Sequence, residues 1–217
     1  MLAELPYAIL ILGAVLVGLW MSNLFLDLGV PQYLSRKVGH GVGGVGYLLS
    51  AFMFQEPWWP LILSGGFTLL LAGARVVKPR AFRGVGGSAR AHALAEVWFP
   101  LSSTAVLAVG WGWLGRPLVA VACILMMCWG DMLTGIVRSQ VYKREVKGNW
   151  GSVAMLAVCL LLAWAFINPF WLGVAAALAA TAAERFMPIS RGFWDDNWAI
   201  PLVAAAIVFG GLWALGL

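Results

Sequence analysis

The segment PLVAVACILMMCWGDMLTGIV, residues 117–137, carries a single charged side chain, Asp131. At 1.5 Å per residue a helix of this length reaches ~30 Å, the thickness of the hydrocarbon core of a bilayer. Lipid offers no hydrogen-bond partners, so the backbone of such a run must satisfy itself, as a helix or within a closed barrel. Barrel strands alternate with period two. Runs such as Ala157–Phe166 show no such alternation, which leaves the helix.

Seven further apolar segments surround this one, at 6–26, 38–54, 58–75, 94–114, 151–167, 169–187 and 198–217. Pro6, Pro60, Pro117, Pro169 and Pro201 mark starts or breaks among them, because proline lacks the N–H that a helix interior uses. Composition agrees with this map. Of 217 residues, 62% are hydrophobic and 11% charged, and mean hydropathy is +0.90. Soluble domains carry ~45–50% apolar and ~25% charged residues. About eight spans of ~20 residues each leave no room for a soluble catalytic or DNA-binding domain. Residues 1–217 are therefore expected to form one integral-membrane domain, an all-α polytopic transmembrane helical bundle.

A net charge of +5 then speaks for topology and lipid headgroups, with no nucleic acid implied. Cys123, Cys128 and Cys159 lie in apolar runs without metal-ligand spacing and are expected to be packing residues. Glu4 stands where a cleavable signal would have basic residues, and the first run is long enough to span. No internal repeat of the transporter kind stands out.

The charges order the segments. Of the 14 basic residues, all but Arg116 fall in alternate loops. Arg36 and Lys37 follow the first segment, and Arg75 to Arg90 the third. Arg138 to Lys147 follow the fifth, and Arg185 and Arg191 the seventh. The positive-inside rule places these loops in the cytoplasm and both termini on the non-cytoplasmic side. The longest loop, VVKPRAFRGVGGSARAHA (76–93), reads either as a flexible connection or as a flap over an anionic substrate.

Ionisable residues inside spans cost ~2.5–3.5 kcal/mol at a helix centre, so each one asks for a reason. Asp131 is the clearest; it is either functional or a structural aspartate, protonated or paired with an arginine. Glu96 opens the fourth segment, where the helix dipole alone favours an acid. Glu184, beside Arg185, is either part of a site or half of a snorkelling surface pair. In SRKVGHGVGG (35–44), a helix would put Arg36 and His40 on one face, two cations and a histidine suited to phosphate and proton transfer. KGNWGS (147–152) offers Lys147, the glycines 148 and 151, and Ser152 at a helix start, where free N–H groups favour an anion. It lacks the P-loop order. Asp195, Asp196 and Asn197 supply paired oxygens that suit Mg²⁺ or an N-cap.

The topology expected from the basic residues puts Arg36, Lys37, His40, Glu96, Asp131, Lys147, Ser152, Glu184, Asp196 and Asn197 at one membrane face. Only Glu4, Glu56 and Arg116 remain for the other. Carboxylates and cations together at one end of a helical bundle describe a metal–phosphate site, and phosphoryl transfer needs little beyond positioning and charge neutralisation.

RKVGH (36–40) resembles the RKxxH motif of the polyprenol kinase family, the dolichol kinases, phytol kinases and CTP-dependent diacylglycerol kinases. Gly130–Asp131 is similar to that family's GDxxA stretch and KGNWGS to its KSxEGS element, with Gly148 and Trp150 in place of the first Ser and the Glu. AAERFMPISRGFWDDNWAIPL (182–202) resembles the closing pattern, a Glu followed by D-N-x-x-x-P, and Glu96 in AEVWFP is similar to a family Glu. The resemblance covers residues 32–202 in family order. It implies a membrane kinase that moves a phosphoryl group from a nucleoside triphosphate, usually CTP with ATP as the alternative, to an isoprenoid or other long-chain alcohol at the cytoplasmic face. Asp131 and Asp196 would hold Mg²⁺ with help from Glu184. Arg36, Lys37 and Lys147 would neutralise the triphosphate, with Gly151, Ser152 and Asn197 completing the nucleotide site. Asp131, His40 and Glu96 would be catalytic, His40 or Glu96 accepting the alcohol proton. The lipid tail would lie where the glycines 41, 43, 44 and 46 leave space. Two rivals are a phosphatidate cytidylyltransferase-like enzyme, which shares the GD-and-Lys layout but has a long C-terminal signature absent here, and a small transporter, for which polar residues at the bilayer midplane are missing.

Overall fold

The computed structural model describes residues 2–78, 80–86, 94–144, 146–187 and 195–217. All regular structure among them is helical. After a 3₁₀ turn at Leu2–Glu4 come α1 (Leu5–Asp27), α2 (Gln32–Met53), α3 (Trp58–Val77), α4 (Ala95–Leu107), α5 (Pro117–Val141), α6 (Asn149–Phe166), α7 (Phe170–Phe186) and α8 (Asp196–Ala214). A π-helical segment, Ala108–Trp113, continues α4. Five helices, α1, α3, α5, α6 and α8, are long and apolar enough to cross a membrane, which makes this a membrane protein. By contrast α4 and α7 have 13 and 17 residues, and α2 is interrupted by Arg36, Lys37 and five glycines.

The segment that decides the fold class is also its centre. α5 packs on α2, α4, α6 and α8, and every residue from Ala120 to Cys128 is buried. Of its apolar window 72% is buried inside the protein, against 22% for α1 and for α3; those two helices turn large side chains such as Trp20 and Leu69 outward. Cys123, Cys128 and Cys159 are buried free thiols in this core.

Two boundaries differ from the apolar pattern, and both matter for the site. α2 begins at Gln32 rather than 38, so RKVGH lies wholly on a helix. α5 runs to Val141 rather than 137, so Arg138 is in its last turn and not in a loop. Pro201 breaks nothing: it lies inside α8. The carbonyl it cannot serve, that of Asn197 four residues earlier, accepts instead from Ser102 Oγ at 2.9 Å, the usual remedy for a freed backbone group in a membrane helix. Gly41 and Gly44 leave no space for a tail. A Cβ on Gly41 would lie 2.9 Å from Met132 Sδ, and one on Gly44 would meet the Trp129 indole, so these glycines seat α2 against α5.

Residues 80–86 form a strap across the ends of α1 and α2. Asn23 Nδ2 donates to the Ala81 carbonyl (2.6 Å), Asn23 Oδ1 accepts from Gly84 N (2.8 Å), and Gln32 Nε2 donates to the Arg83 carbonyl (2.9 Å). Arg83 pairs with Asp27. The rest of the expected flap, residue 79 and residues 87–93 with Arg90, lies outside the described residues, as do residues 188–194 with Arg191.

Candidate active site

The polar residues gather where the N-terminal parts of α2, α4, α6 and α8 meet the C-terminal parts of α3, α5 and α7. Three ion-paired carboxylates define the gathering. On α5, Asp131 Oδ2 accepts from Lys37 Nζ at 2.5 Å, and His40 Nδ1 lies 3.0 Å from the same oxygen, both from α2. Lys37 and His40 are three apart and so share a helix face. Lys37 reaches across Gly135, where any Cβ would lie 2.5 Å from Lys37 Cε.

Two turns beyond Asp131, Arg138 Nη2 donates to Glu184 Oε1 on α7, a fully buried carboxylate. Lys147, just before α6, donates to the Glu184 backbone carbonyl and to Asp196 Oδ2 at 3.2 Å, and its Nζ lies 3.8 Å from Glu184 Oε1. Arg185 does not pair with Glu184; it donates to the Lys147 carbonyl and to Asn149 Oδ1. The surface-pair alternative for Glu184 therefore falls.

One carboxylate oxygen each from Asp131, Glu184 and Asp196 lies within 4.8 Å of the others. These all-oxygen donors match what Mg²⁺ takes. Glu184 Oε2 is buried without a hydrogen-bond partner, as are Asp195 Oδ2, Asn197 Oδ1 and Ser152 Oγ at the starts of α8 and α6 and the nitrogens Arg36 Nε, His40 Nδ1 and Arg138 Nε. Buried polar atoms are normally satisfied, so the unpartnered Glu184 Oε2 within this group of three carboxylates fits a bound cation or its water. Asp195 is the N-cap of α8: its Oδ1 accepts from Asn197 N at 2.9 Å. Burial, and then the neighbouring Asp196 carboxylate, push its carboxyl up to about 6. Asn197 Nδ2 donates to the Ala95 carbonyl at 3.2 Å, tying α8 to α4.

At the start of α6, Gly151 lets the helix abut α5. A Cβ there would lie 2.7 Å from Arg138 Nε, and the Gly151 carbonyl accepts from Thr134 Oγ1 at 3.2 Å. Glu96, in the first turn of α4, is separate from the three carboxylates in its partner: it takes Arg75 Nη1 of α3 at 2.5 Å. Together with Arg36 and His40 it lines an apolar cleft between α1, α2, α3 and α4. His40 thus belongs to both places, held against Asp131 and lining the cleft.

Sequence reasoning misses Arg138, which it reads as a loop cation. The available signal is spacing, since Asp131, Thr134 and Arg138 recur at i, i+3 and i+7 on one face.

Fold and site together define a class: a helical membrane protein with a buried carboxylate–cation cluster at one end of the bundle. No family model and no solved structure matches the chain. It is similar to a phytol kinase of Synechocystis sp., with 30% identity over 93% of this chain and 89% of that one. The chain belongs to the polyprenol/phytol kinase family.

Proposed function

We propose that this protein is a lipid-alcohol kinase that transfers the terminal phosphoryl group of a nucleoside triphosphate, CTP in preference to ATP, to an isoprenoid or similar long-chain alcohol at the cytoplasmic membrane face. The observation that carries the reading is the near-full-length similarity to a phytol kinase in a chain whose buried charges converge at one end of the bundle. The placement of the basic residues, all but Arg116 in alternate connections or in the helix ends beside them, supports the cytoplasmic orientation and both termini outside.

In this reading Asp131, Glu184 and Asp196 would hold Mg²⁺, which supplies neutralisation of phosphate charge when bound. Arg36, Lys37 and Lys147 face the triphosphate. Arg138 holds Glu184 in place, and Ser152 with the N-terminus of α6 offers donors to a phosphate oxygen. His40 takes the alcohol proton. Its Nδ1 lies against Asp131, which favours the tautomer that leaves the other ring nitrogen as an acceptor. The alcohol oxygen forms a bond to the terminal phosphorus, the bond from that phosphorus to the bridging oxygen breaks, and the nucleoside diphosphate leaves with the electron pair.

The cytidylyltransferase reading is not taken up, because the relative is a kinase. The test is purified protein with γ-labelled CTP or ATP and a panel of lipid alcohols. Label should appear in the lipid, more from CTP than from ATP. Label in no alcohol with either donor would refute the proposal.

A further inference from the structure

We infer that the cleft between α1, α2, α3 and α4 holds the hydrocarbon tail of a single-chain alcohol, with the hydroxyl at the Arg36–His40–Glu96 end; the inference rests on the lipid-alcohol kinase reading. The cleft runs along α2 from Arg36 past His40 to Ser50, and Ile11 and Pro60 line it as well. From His40 to Ser50, ten residues of helix make this wall ~15 Å long, the length of roughly a dozen C–C bonds of ~1.5 Å laid out in a zigzag.

Its chemistry is divided by depth. The basic and acidic residues of the lining are Arg36, His40 and Glu96, and His40 lies against Asp131. Deeper, the polar atoms of the walls are used up on one another. Tyr47 Oη and Ser64 Oγ share a hydrogen bond at 2.7 Å, Ser64 Oγ donates to the Pro100 carbonyl at 3.0 Å, and Thr104 Oγ1 donates to Ser64 at 2.9 Å. Ser50 Oγ donates to the Gly46 carbonyl at 2.8 Å. An occupant of the deep part is therefore offered no hydrogen bond, as a hydrocarbon requires, and the bonds across α2, α3 and α4 fix the walls. A tail gains nothing by leaving lipid for protein except fit, so shape decides.

Neighbouring side chains approach the α2 wall closely at two of its glycines. On α2, a Cβ at Gly39 would meet Val85 of the strap at 2.7 Å, and one at Gly43 would meet the Phe99 ring at 2.9 Å. At Gly46 the nearest atoms, on Val15 and Ile11, are at 3.4 and 3.5 Å, which is ordinary contact. Gly46 is thus the position where a side chain enters the cleft without first displacing a wall.

The experiment compares wild type and Gly46→Leu on straight-chain alcohols from about six to about sixteen carbons and on phytol. Filling a packed space costs enough to lower kcat/KM by at least about tenfold. The loss should grow with chain length, so the long-to-short ratio of kcat/KM falls by that factor. Equal loss at every length, or no loss, would overturn the cleft assignment. A second measurement does not need turnover. Ser50→Cys is treated with N-ethylmaleimide in membranes, against the wild-type background of three fully buried cysteines. Phytol should slow the modification and hexanol should not; equal rates with both would overturn the assignment. Should wild type phosphorylate no alcohol, the kinase reading falls on that result, while the cysteine protection still decides the cleft.

Discussion

Lys37 and Asp131, 94 positions apart in the chain, meet with Nζ 2.5 Å from Oδ2. The contact joins the polar start of α2 to the middle of the most buried helix. Their side chains are 13% and 5% exposed, so the pair is not a screened surface bridge. Each member alone would cost free energy in a bilayer. Joined, and with His40 on the same oxygen, they are a fixed charge arrangement at the place where phosphate and alcohol are proposed to meet.

Asp131→Asn should lower activity by at least ~10²-fold, the scale of losing one key electrostatic contact. It also strands Lys37, so stability should fall. Adding Lys37→Met should restore stability without restoring activity, because replacing both partners of a buried pair is far less costly than removing one. Thermal midpoints in detergent and initial rates separate the two effects. Recovery of activity in the double variant would place Asp131 in the scaffold alone.

Arg138 and Glu184 give the complementary case. Arg138→Met leaves a fully buried carboxylate and should destabilise by about 3–5 kcal/mol. The double variant Arg138→Met/Glu184→Gln should lose clearly less than the single one. A double-mutant cycle by denaturant titration in mixed micelles checks this, and additive losses would contradict the pairing.

The helices themselves are legible in the sequence. Eight apolar segments correspond to the eight α-helices among the described residues, because apolar length and backbone satisfaction are local properties. Charged and small residues hide the two boundaries that matter. Residues 32–37 do not look like part of a span, yet they are helical because Lys37 is held on Asp131 and Ser35 is buried. Arg138 looks like a loop cation for the same reason. The glycines of α2 announce close approach, but which neighbour approaches is a tertiary fact. Trp129 and Met132 fill two of the positions expected to be empty. The Tyr47–Ser64–Thr104 bonds join three helices and carry no sequence signature. The residues grouped as metal ligands, Asp131, Glu184 and Asp196, do lie together.

Asp196→Asn removes one proposed Mg²⁺ ligand and a partner of Lys147. The Mg²⁺ concentration for half-maximal activity should rise by about tenfold or more, as losses at metal sites commonly do, with the alcohol KM little changed. An unaltered Mg²⁺ titration would remove Asp196 from the metal set.

Orientation is tested by single cysteines at exposed positions. Arg80→Cys and Arg144→Cys should react with an impermeant maleimide only from the cytoplasmic side, and Glu56→Cys only from outside, as the basic-loop asymmetry requires. Labelling of positions 80 and 144 from opposite sides would break the topology.

The central claim is the reaction, and its products decide it. Purified protein is given Mg²⁺, CTP labelled in turn on the γ-phosphate and on the base, and phytol or another long-chain isoprenoid alcohol. CDP and pyrophosphate are measured in the same sample as the lipid. CDP should appear in one-to-one ratio with a lipid monophosphate that carries the γ label. Stoichiometric pyrophosphate with the base label in the lipid would contradict it.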